Sequence, residues 1–292
     1  MYARTASAAA LLSAAALLLP APVTRAAGPV ARPEEGPSVI AHRGASAYAP
    51  ENTLAAVDLA DLMGFDWVEN DVQRTKDGEL VVVHDDSLAR TTDVEQRFPG
   101  RSPWKIKDFT AAEIATLDAG SWFGPKFAGA RVPTLRQYVN RVERNHQKLL
   151  LEIKKPELYP GIEKDTLRVL RRAGWLNLHH VKHRLVIQSF GAASVKAVHE
   201  QRPDITTGFL GAPPVAELPK YARFTDQINP PHTSLTAAYT AAVHRLKGAH
   251  GRQLKVSTWT VNTAADAVRV DDFGVDGIIT NHPDIVRDAV DD

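Results

Sequence analysis

Three apolar runs in this chain finish on charge or on an imidazole. Trp67-Val68 leads into Glu69-Asn70-Asp71, Leu149-Leu150-Leu151 into Glu152-Ile153-Lys154, and Leu80-Val81-Val82-Val83 into His84. On a strand, side chains two apart share a face. Glu69 and Asp71 therefore project together, and so do Glu152 and Lys154. Buried strands do not end on paired charges unless something binds them. Three carboxylates, a lysine and a histidine at one rim suit a hard cation beside an anion. Oxygen donors favour Mg²⁺ or Ca²⁺ over zinc or copper. Salt bridges to Lys154 and Arg43 are the alternative without metal, but like charges at one rim repel unless a cation screens them.

His42-Arg43-Gly44 closes another strand-like run. Arg43 offers a planar fork that matches a phosphate group, and Lys154 adds a point charge. Gly44 permits a sharp turn or a close approach to a ligand. Pro50-Glu51-Asn52-Thr53 follows at a helix N-terminus, where free N–H groups favour an anion. His42 and His84 come from different strands and can serve as general base and general acid. Together these residues point to metal-assisted displacement at phosphorus.

Side chains on separate strands meet only if the strands end together. Strand-like runs fall at 38–42, 66–71, 79–84, 148–153, 184–189, 205–210, 227–229, 255–261 and 277–280. Helical runs alternate with them, at 161–173, 191–201, 235–247 and 264–273. An earlier helix is capped by Asn52-Thr53, carries Ala55, Leu59, Leu62 and Met63 at helical spacing, and stops at Gly64. Such alternation over ~250 residues predicts an α/β fold, a parallel TIM (β/α)₈ barrel whose site lies at the C-terminal ends of its strands. Nine strands are one too many, and 227–229 is the weakest. Asp71 and Glu79 are too close in sequence for a helical crossover, so Thr75-Lys76-Asp77-Gly78 is expected to form a turn. Residues 86–132 break the rhythm with Trp104, Trp122, Phe123 and several turns. They are expected to form an insertion after the third strand, over the barrel mouth, and not an autonomous domain.

The 292-residue chain begins with Arg4, an Ala/Leu/Ser run to Leu19, Pro20, and small residues at Thr24 and Ala26. This pattern predicts a signal peptide at 1–26, a disordered leader at 27–37, and one domain at 38–292. The apolar run is too short to span a membrane. A secreted protein without a stable membrane anchor is expected. The absence of cysteine excludes disulfides, thiol catalysis and cysteine-ligated zinc. Net charge is +1 with no basic block, so no nucleic-acid partner is expected. His179, His180 and His183 read as part of a solvated loop.

An ordered set of motifs extends this reading. It comprises Ala41-His42-Arg43-Gly44, Ala49-Pro50-Glu51-Asn52-Thr53, Glu69-Asn70-Asp71 and Val83-His84-Asp85. Leu117 to Phe123, Leu151-Glu152-Ile153-Lys154, Trp259-Thr260-Val261-Asn262 and Asp276 to Asn281 complete it. With these, the chain resembles the glycerophosphodiester phosphodiesterase family from about Val39 to Asp284. The resemblance implies a TIM-barrel hydrolase that converts glycerophosphodiesters, such as glycerophosphocholine and glycerophosphoethanolamine, to glycerol 3-phosphate and an alcohol. It implies one divalent cation, Ca²⁺ or Mg²⁺, held by Glu69, Asp71 and Glu152. His42 and His84 would be the acid–base pair, and Arg43 and Lys154 would contact phosphate. Glu51 would bind the metal directly or through water. The substrate's own glycerol hydroxyl would attack first, through a cyclic phosphate. Asn70 departs from the family, where an apolar residue is commoner, and should point away from the site.

Aromatic residues could wall the site: Trp259 at a strand end, with Trp122, Phe123 and Phe190 beside the glycerol or alcohol. Trp104 and Phe109 read as core of the insertion, and His282 as rim. Three rivals stand beside the main reading. They are a related phospholipase, a teichoic-acid phosphodiesterase, and a secreted phosphoester-binding protein without catalysis.

Overall fold

The computed structural model describes residues 36–291. The expected signal peptide and most of the leader lie outside the described residues. Strands β1 (Ser38–Ala41), β2 (Trp67–Arg74), β3 (Leu80–Val82), β4 (Lys148–Ile153) and β5 (Leu185–Ser189) are followed by four more. These are β6 (Thr206–Leu210), β7 (Gln227–Asn229), β8 (Lys255–Thr258) and β9 (Gly277–Thr280). Eight of the nine are parallel. β1 pairs with both β9 and β2, which closes the barrel. The fold is the expected TIM barrel.

The surplus strand is not 227–229, which pairs in register with β6 and β8. It is β3, which runs antiparallel to β2, with Val72 opposite Val82 and Arg74 opposite Leu80. The Thr75–Gly78 connection is a turn, as expected: Thr75 N–H donates to the Glu79 carbonyl at 2.9 Å. So short a link permits only a hairpin. His84 therefore does not sit at the C-terminal end of a barrel strand. It reaches the mouth because the hairpin returns the chain there, and Val83 N–H donates to the Asp71 carbonyl at 2.9 Å.

Alternation sorts the two decisive strands. Val68 and Val72 of β2, with Leu149, Leu151 and Ile153 of β4, face outward. There they join Tyr138, Val139 and Val142 of helix Leu135–Arg144. Trp67 and Leu150 face inward, packing with Ile40, Val186, Ile279 and Trp259 inside the barrel. Glu69, Asp71, Glu152 and Lys154 continue that inward face above an apolar plug.

Asn70 faces away from the site, as expected. It is fully buried, and neither its amide oxygen nor its nitrogen has a hydrogen-bond partner. An unpaired buried amide is costly, and an apolar residue of similar shape removes that cost. Asn70→Leu should stabilise the fold by about 1–3 kcal/mol and leave kcat unchanged, as thermal melts and a rate assay would show. A lower melting temperature would contradict this.

Helix α1 (Leu54–Leu62) is capped by Thr53, whose side chain accepts from Ala56 N–H at 3.3 Å, and the chain turns at Gly64. Its buried face, however, is Ala56, Val57 and Ala60, and Leu62 is 82% exposed. Small residues face the barrel because the backbone crowds there. A side chain at Gly44 (φ +79°) would meet the Ala56 carbonyl carbon at 2.5 Å. The freedom of Gly44 thus serves contact with the helix, not approach to a ligand.

The segment 86–132 packs a small core of its own, including Leu88, Val94, Ile106, Phe109, Ile114 and Leu117, against Val81 and Val83 beside β3. It leans on the hairpin flank, where its apolar side chains follow β3. Trp104 donates to the Phe98 carbonyl at 2.9 Å within this unit. The histidine cluster lies on a short helix, Leu178–His183, and not in a solvated loop. His180 is buried against Trp175 and lies 2.7 Å from Glu143. No described helix is long and apolar enough to cross a membrane.

Candidate active site

β2 and β4 are neighbours in register, with Asp71 opposite Glu152. Glu69, Asp71 and Glu152 are all buried, and each offers an oxygen within 4.8 Å of the others. Two cations face them. Lys154 Nζ lies 2.8 Å from Glu152 Oε1 and 3.7 Å from Asp71 Oδ1. Arg43 Nε lies 3.3 Å from Asp71 Oδ2, and the Arg43 backbone N–H donates to Glu69 at 3.0 Å. Arg43 takes up a left-handed conformation (φ +58°), which aims both its N–H and its side chain at the carboxylates. Asn52 donates to Asp71 Oδ2 at 2.8 Å.

Three acids and two bases leave an excess of negative charge in a dry place. Burial, then Asp71 and Glu152, push the Glu69 carboxyl well above the usual carboxylate range. Burial and the Asp71 charge raise Glu152 to about 8. Burial also works to raise Asp71, but Arg43 and Lys154 outweigh it and hold it at about 2. Asp71 Oδ1 is buried and accepts no hydrogen bond. These oxygens fit one hard divalent cation, which would cancel the repulsion and satisfy Asp71.

A test follows from linkage. Folded, Glu69 and Glu152 keep protons that they would release on unfolding near their ordinary value of 4.5. Their contribution to stability is full below that value; the Glu152 part is lost as the pH rises through about 8, and the Glu69 part well above the usual carboxylate range. Asp71, held low, changes only in acid. Metal-free protein should therefore melt at a lower temperature near pH 8 than near pH 5.5. Ca²⁺ or Mg²⁺ should raise the melting temperature more at the higher pH, because binding must displace those protons. An equal gain at both values would refute the coupling.

The histidines close the other sides. His42 Nδ1 is 2.6 Å from Asn281 Oδ1, an oxygen that also accepts from Ser46. This fixes the Nδ1–H tautomer and leaves Nε2 free, 3.9 Å from Glu69 Oε2. Burial, then the Arg43 charge, lower His42 to about 4. His84 Nδ1 is 2.7 Å from Asp85 Oδ1. Burial, and further on Arg43 and Lys154, lower His84, whereas Asp71 and the Asp85 hydrogen bond pull the other way.

An inner cavity of about 80 Å³ is lined by His42, Arg43, Glu69, His84, Glu152 and Lys154. Phe190 and Trp259 form its apolar wall, edge to face at 5.5 Å. Trp259 Nε1–H donates to the Asn229 carbonyl at 2.8 Å, which fixes the ring. A wider cavity of about 410 Å³ shares His84, Glu152, Lys154 and Phe190 with it and opens past Asp85, Asp86 and Glu157.

Most of the expected site residues therefore converge, but some do not. Trp122 and Phe123 line neither cavity. Trp122 packs edge to face on Phe123, and Phe123 on Phe127, within the insertion. Glu51 lies outside the carboxylate trio, with Arg43 donating to it at 2.8 Å and Arg90 at 2.7 and 2.8 Å. His282 lies 3.3 Å from the Tyr48 hydroxyl at the rim. Gln188, which lines the inner cavity and accepts from Asn229 at 2.8 Å, carries no sequence signal of its own. Asn281 and Asp85 stood inside recognised motifs, but their grip on the histidines shows only in three dimensions.

A parallel barrel whose mouth joins buried oxygen donors, two fixed cations and two imidazoles defines a hydrolase built to handle a phosphoryl group. The chain matches the model of the glycerophosphoryl diester phosphodiesterase family over residues 42–285. It is 36% identical over 258 residues to a glycerophosphodiester phosphodiesterase of Bacillus subtilis (strain 168), covering 84% of each chain. It is 37% identical over 254 residues to one of Caldanaerobacter subterraneus, covering 86% of this chain and 97% of that one. Among solved structures, an Oleispira antarctica phosphodiesterase in complex with the product sn-glycerol-3-phosphate superposes with a TM-score of 0.73. The identity is 29%, over 88% of this chain and 98% of the other. This chain belongs to the glycerophosphoryl diester phosphodiesterase family, and it is an enzyme that hydrolyses glycerophosphodiesters.

Proposed function

We propose that the protein is a metal-dependent phosphodiesterase that releases sn-glycerol 3-phosphate and an alcohol from small diesters such as glycerophosphocholine and glycerophosphoethanolamine. The observation that carries this reading is the buried trio Glu69, Asp71 and Glu152, of which Glu69 and Glu152 line one small cavity with Arg43, Lys154, His42 and His84. The sn-glycerol 3-phosphate held by the Oleispira antarctica relative supports the choice of product. Ca²⁺ or Mg²⁺, held by the trio, would neutralise non-bridging phosphate oxygens.

Arg43 and Lys154 hold the phosphate, and Trp259 and Phe190 enclose the glycerol. Glu51 orients Arg43. The glycerol 2-hydroxyl attacks phosphorus as His42, neutral near pH 7, takes its proton. The P–O bond to the alcohol breaks as His84, which enters this step protonated on both ring nitrogens with Nδ1–H held by Asp85, gives that oxygen its Nε2 proton, and a cyclic 1,2-phosphate results. His84 then takes a proton from water, which attacks phosphorus, and the P–O bond to the glycerol 2-oxygen breaks as His42 returns that oxygen its proton. His84 is assigned the alcohol because it borders the wider, outer cavity. An intramolecular nucleophile explains the lack of a serine or cysteine nucleophile motif.

Phosphorus NMR during turnover should show the cyclic phosphate before glycerol 3-phosphate. A diester lacking the 2-hydroxyl should resist cleavage. Normal cleavage of that diester would contradict the cyclic route. Export is part of the same proposal: the secreted protein should begin near Ala27, and N-terminal sequencing of a retained, uncleaved chain would refute it.

A further inference from the structure

One side chain ties the two halves of the mouth together. Arg90, in the segment after β3, donates from Nη1 and Nη2 to both oxygens of Glu51, at 2.7 and 2.8 Å. Its Nε and Nη2 reach both oxygens of Asp85, at 2.6 and 3.2 Å. The same two carboxylates hold the machinery. Asp85 Oδ1 lies 2.7 Å from His84 Nδ1, and Glu51 Oε1 accepts from Arg43 Nη1 at 2.8 Å. A continuous alternation of charge thus runs His84, Asp85, Arg90, Glu51, Arg43, Asp71. Arg90 is its central link, and it touches none of the groups that line the inner cavity.

The chemistry of arginine suits this place. A guanidinium has five donors in a rigid plane, so it can grip two carboxylates at once, which an ammonium cannot do with the same geometry. Its side chain is 44% exposed, and an exposed ion pair contributes little to stability by itself. Two carboxylates locked by one such group are therefore better explained by what they orient.

We propose that Arg90 is a positioning residue that sets His84 and Arg43 together, through Asp85 and Glu51. This rests on the assignment of His84 to acid–base work and of Arg43 to phosphate. Without Arg90, Asp85 is free to turn from the imidazole, and Glu51 from the Arg43 fork. A misplacement of about 1 Å costs on the order of 100-fold in rate.

Arg90→Ala should therefore lower kcat by about 10–100-fold with little change in melting temperature. Arg90→Lys should fall between the two. Added guanidinium should restore a large part of the Arg90→Ala loss. In an Asp85→Asn background, Arg90→Ala should cost much less than it does alone, because both changes break the same link. A kcat within about twofold of wild type would overturn the proposal. So would a loss that guanidinium does not relieve and that adds fully to Asp85→Asn, since this marks general loosening.

A readout without turnover separates this proposal from the reaction itself. At a pH where resting His84 is neutral, nitrogen-resolved NMR should show a single Nδ1–H tautomer in the wild type and a mixture in Arg90→Ala. An unchanged His84 tautomer would overturn the proposal whatever the enzyme cleaves. A wild type that cleaves no diester but shows this tautomer shift would fault the reaction and leave the role of Arg90 standing.

Discussion

His42→Ala should lower kcat by about 10²–10⁴-fold while the protein still folds and still binds its cation. The reason is local. His42 is held by one hydrogen bond, from Nδ1 to Asn281, and its Nε2 faces the cavity with no donor of its own. Its buried neighbours, Ala41 on β1 and Ala45, stay packed when the ring is removed. Loss of the ring therefore removes a proton acceptor and little else. His42→Gln would keep much of the shape and should be almost as inactive, which separates proton transfer from packing. Near-normal kcat in either variant, measured with saturating cation, would end the assignment of His42 as a base.

The second large effect concerns the carboxylates, where the expected result has two parts of opposite sign. Glu152→Gln should abolish turnover, because it removes an anionic donor from the trio. The metal-free variant should nevertheless be at least as stable as the wild type near pH 8. Burial and Asp71 already push Glu152 to about 8, so the folded metal-free protein favours a neutral group there, and glutamine supplies one. The gain in melting temperature that Ca²⁺ or Mg²⁺ gives the wild type should largely vanish in the variant. A metal-free variant much less stable than the wild type would mean that Glu152 serves the fold through Lys154, which lies 2.8 Å away. Wild-type metal affinity would remove Glu152 from the ligand set.

What sequence could reveal here depended on range. Glu69 with Asp71, and Glu152 with Lys154, were legible because strand alternation is a two-residue rule and each pair sits on one strand. The barrel was legible because strands and helices alternate over most of the chain. The place of His84 was misjudged, since an apolar run at 79–84 looks the same in a barrel strand and in a hairpin arm. Only the short turn before it decides, and that turn makes β3 antiparallel. Helical spacing marked α1 but not the close approach of Gly44 to Ala56, which depends on a contact between separate segments. Trp122 and Phe123 were drawn to the site by their chemistry, although they pair edge to face within the insertion, away from both cavities. Arg90 and Gln188 left no local signal, because their partners lie on other loops and strands.

The alternation of charge around the mouth also bears on Glu51. With Arg43 and Arg90 both donating to it, its carboxylate is held below its ordinary range despite burial. It is an anchor for guanidinium groups, and the trio is the better home for a cation.

The central claim is that this trio, with its histidines, cleaves glycerophosphodiesters only when a divalent cation is present. The most direct test is release of glycerol 3-phosphate from glycerophosphocholine by the purified protein, with Ca²⁺, with Mg²⁺ and in excess EDTA. The account predicts release with at least one of the two cations, none in EDTA, and recovery when cation is restored. Full release in EDTA, by protein shown to be free of metal, would contradict it.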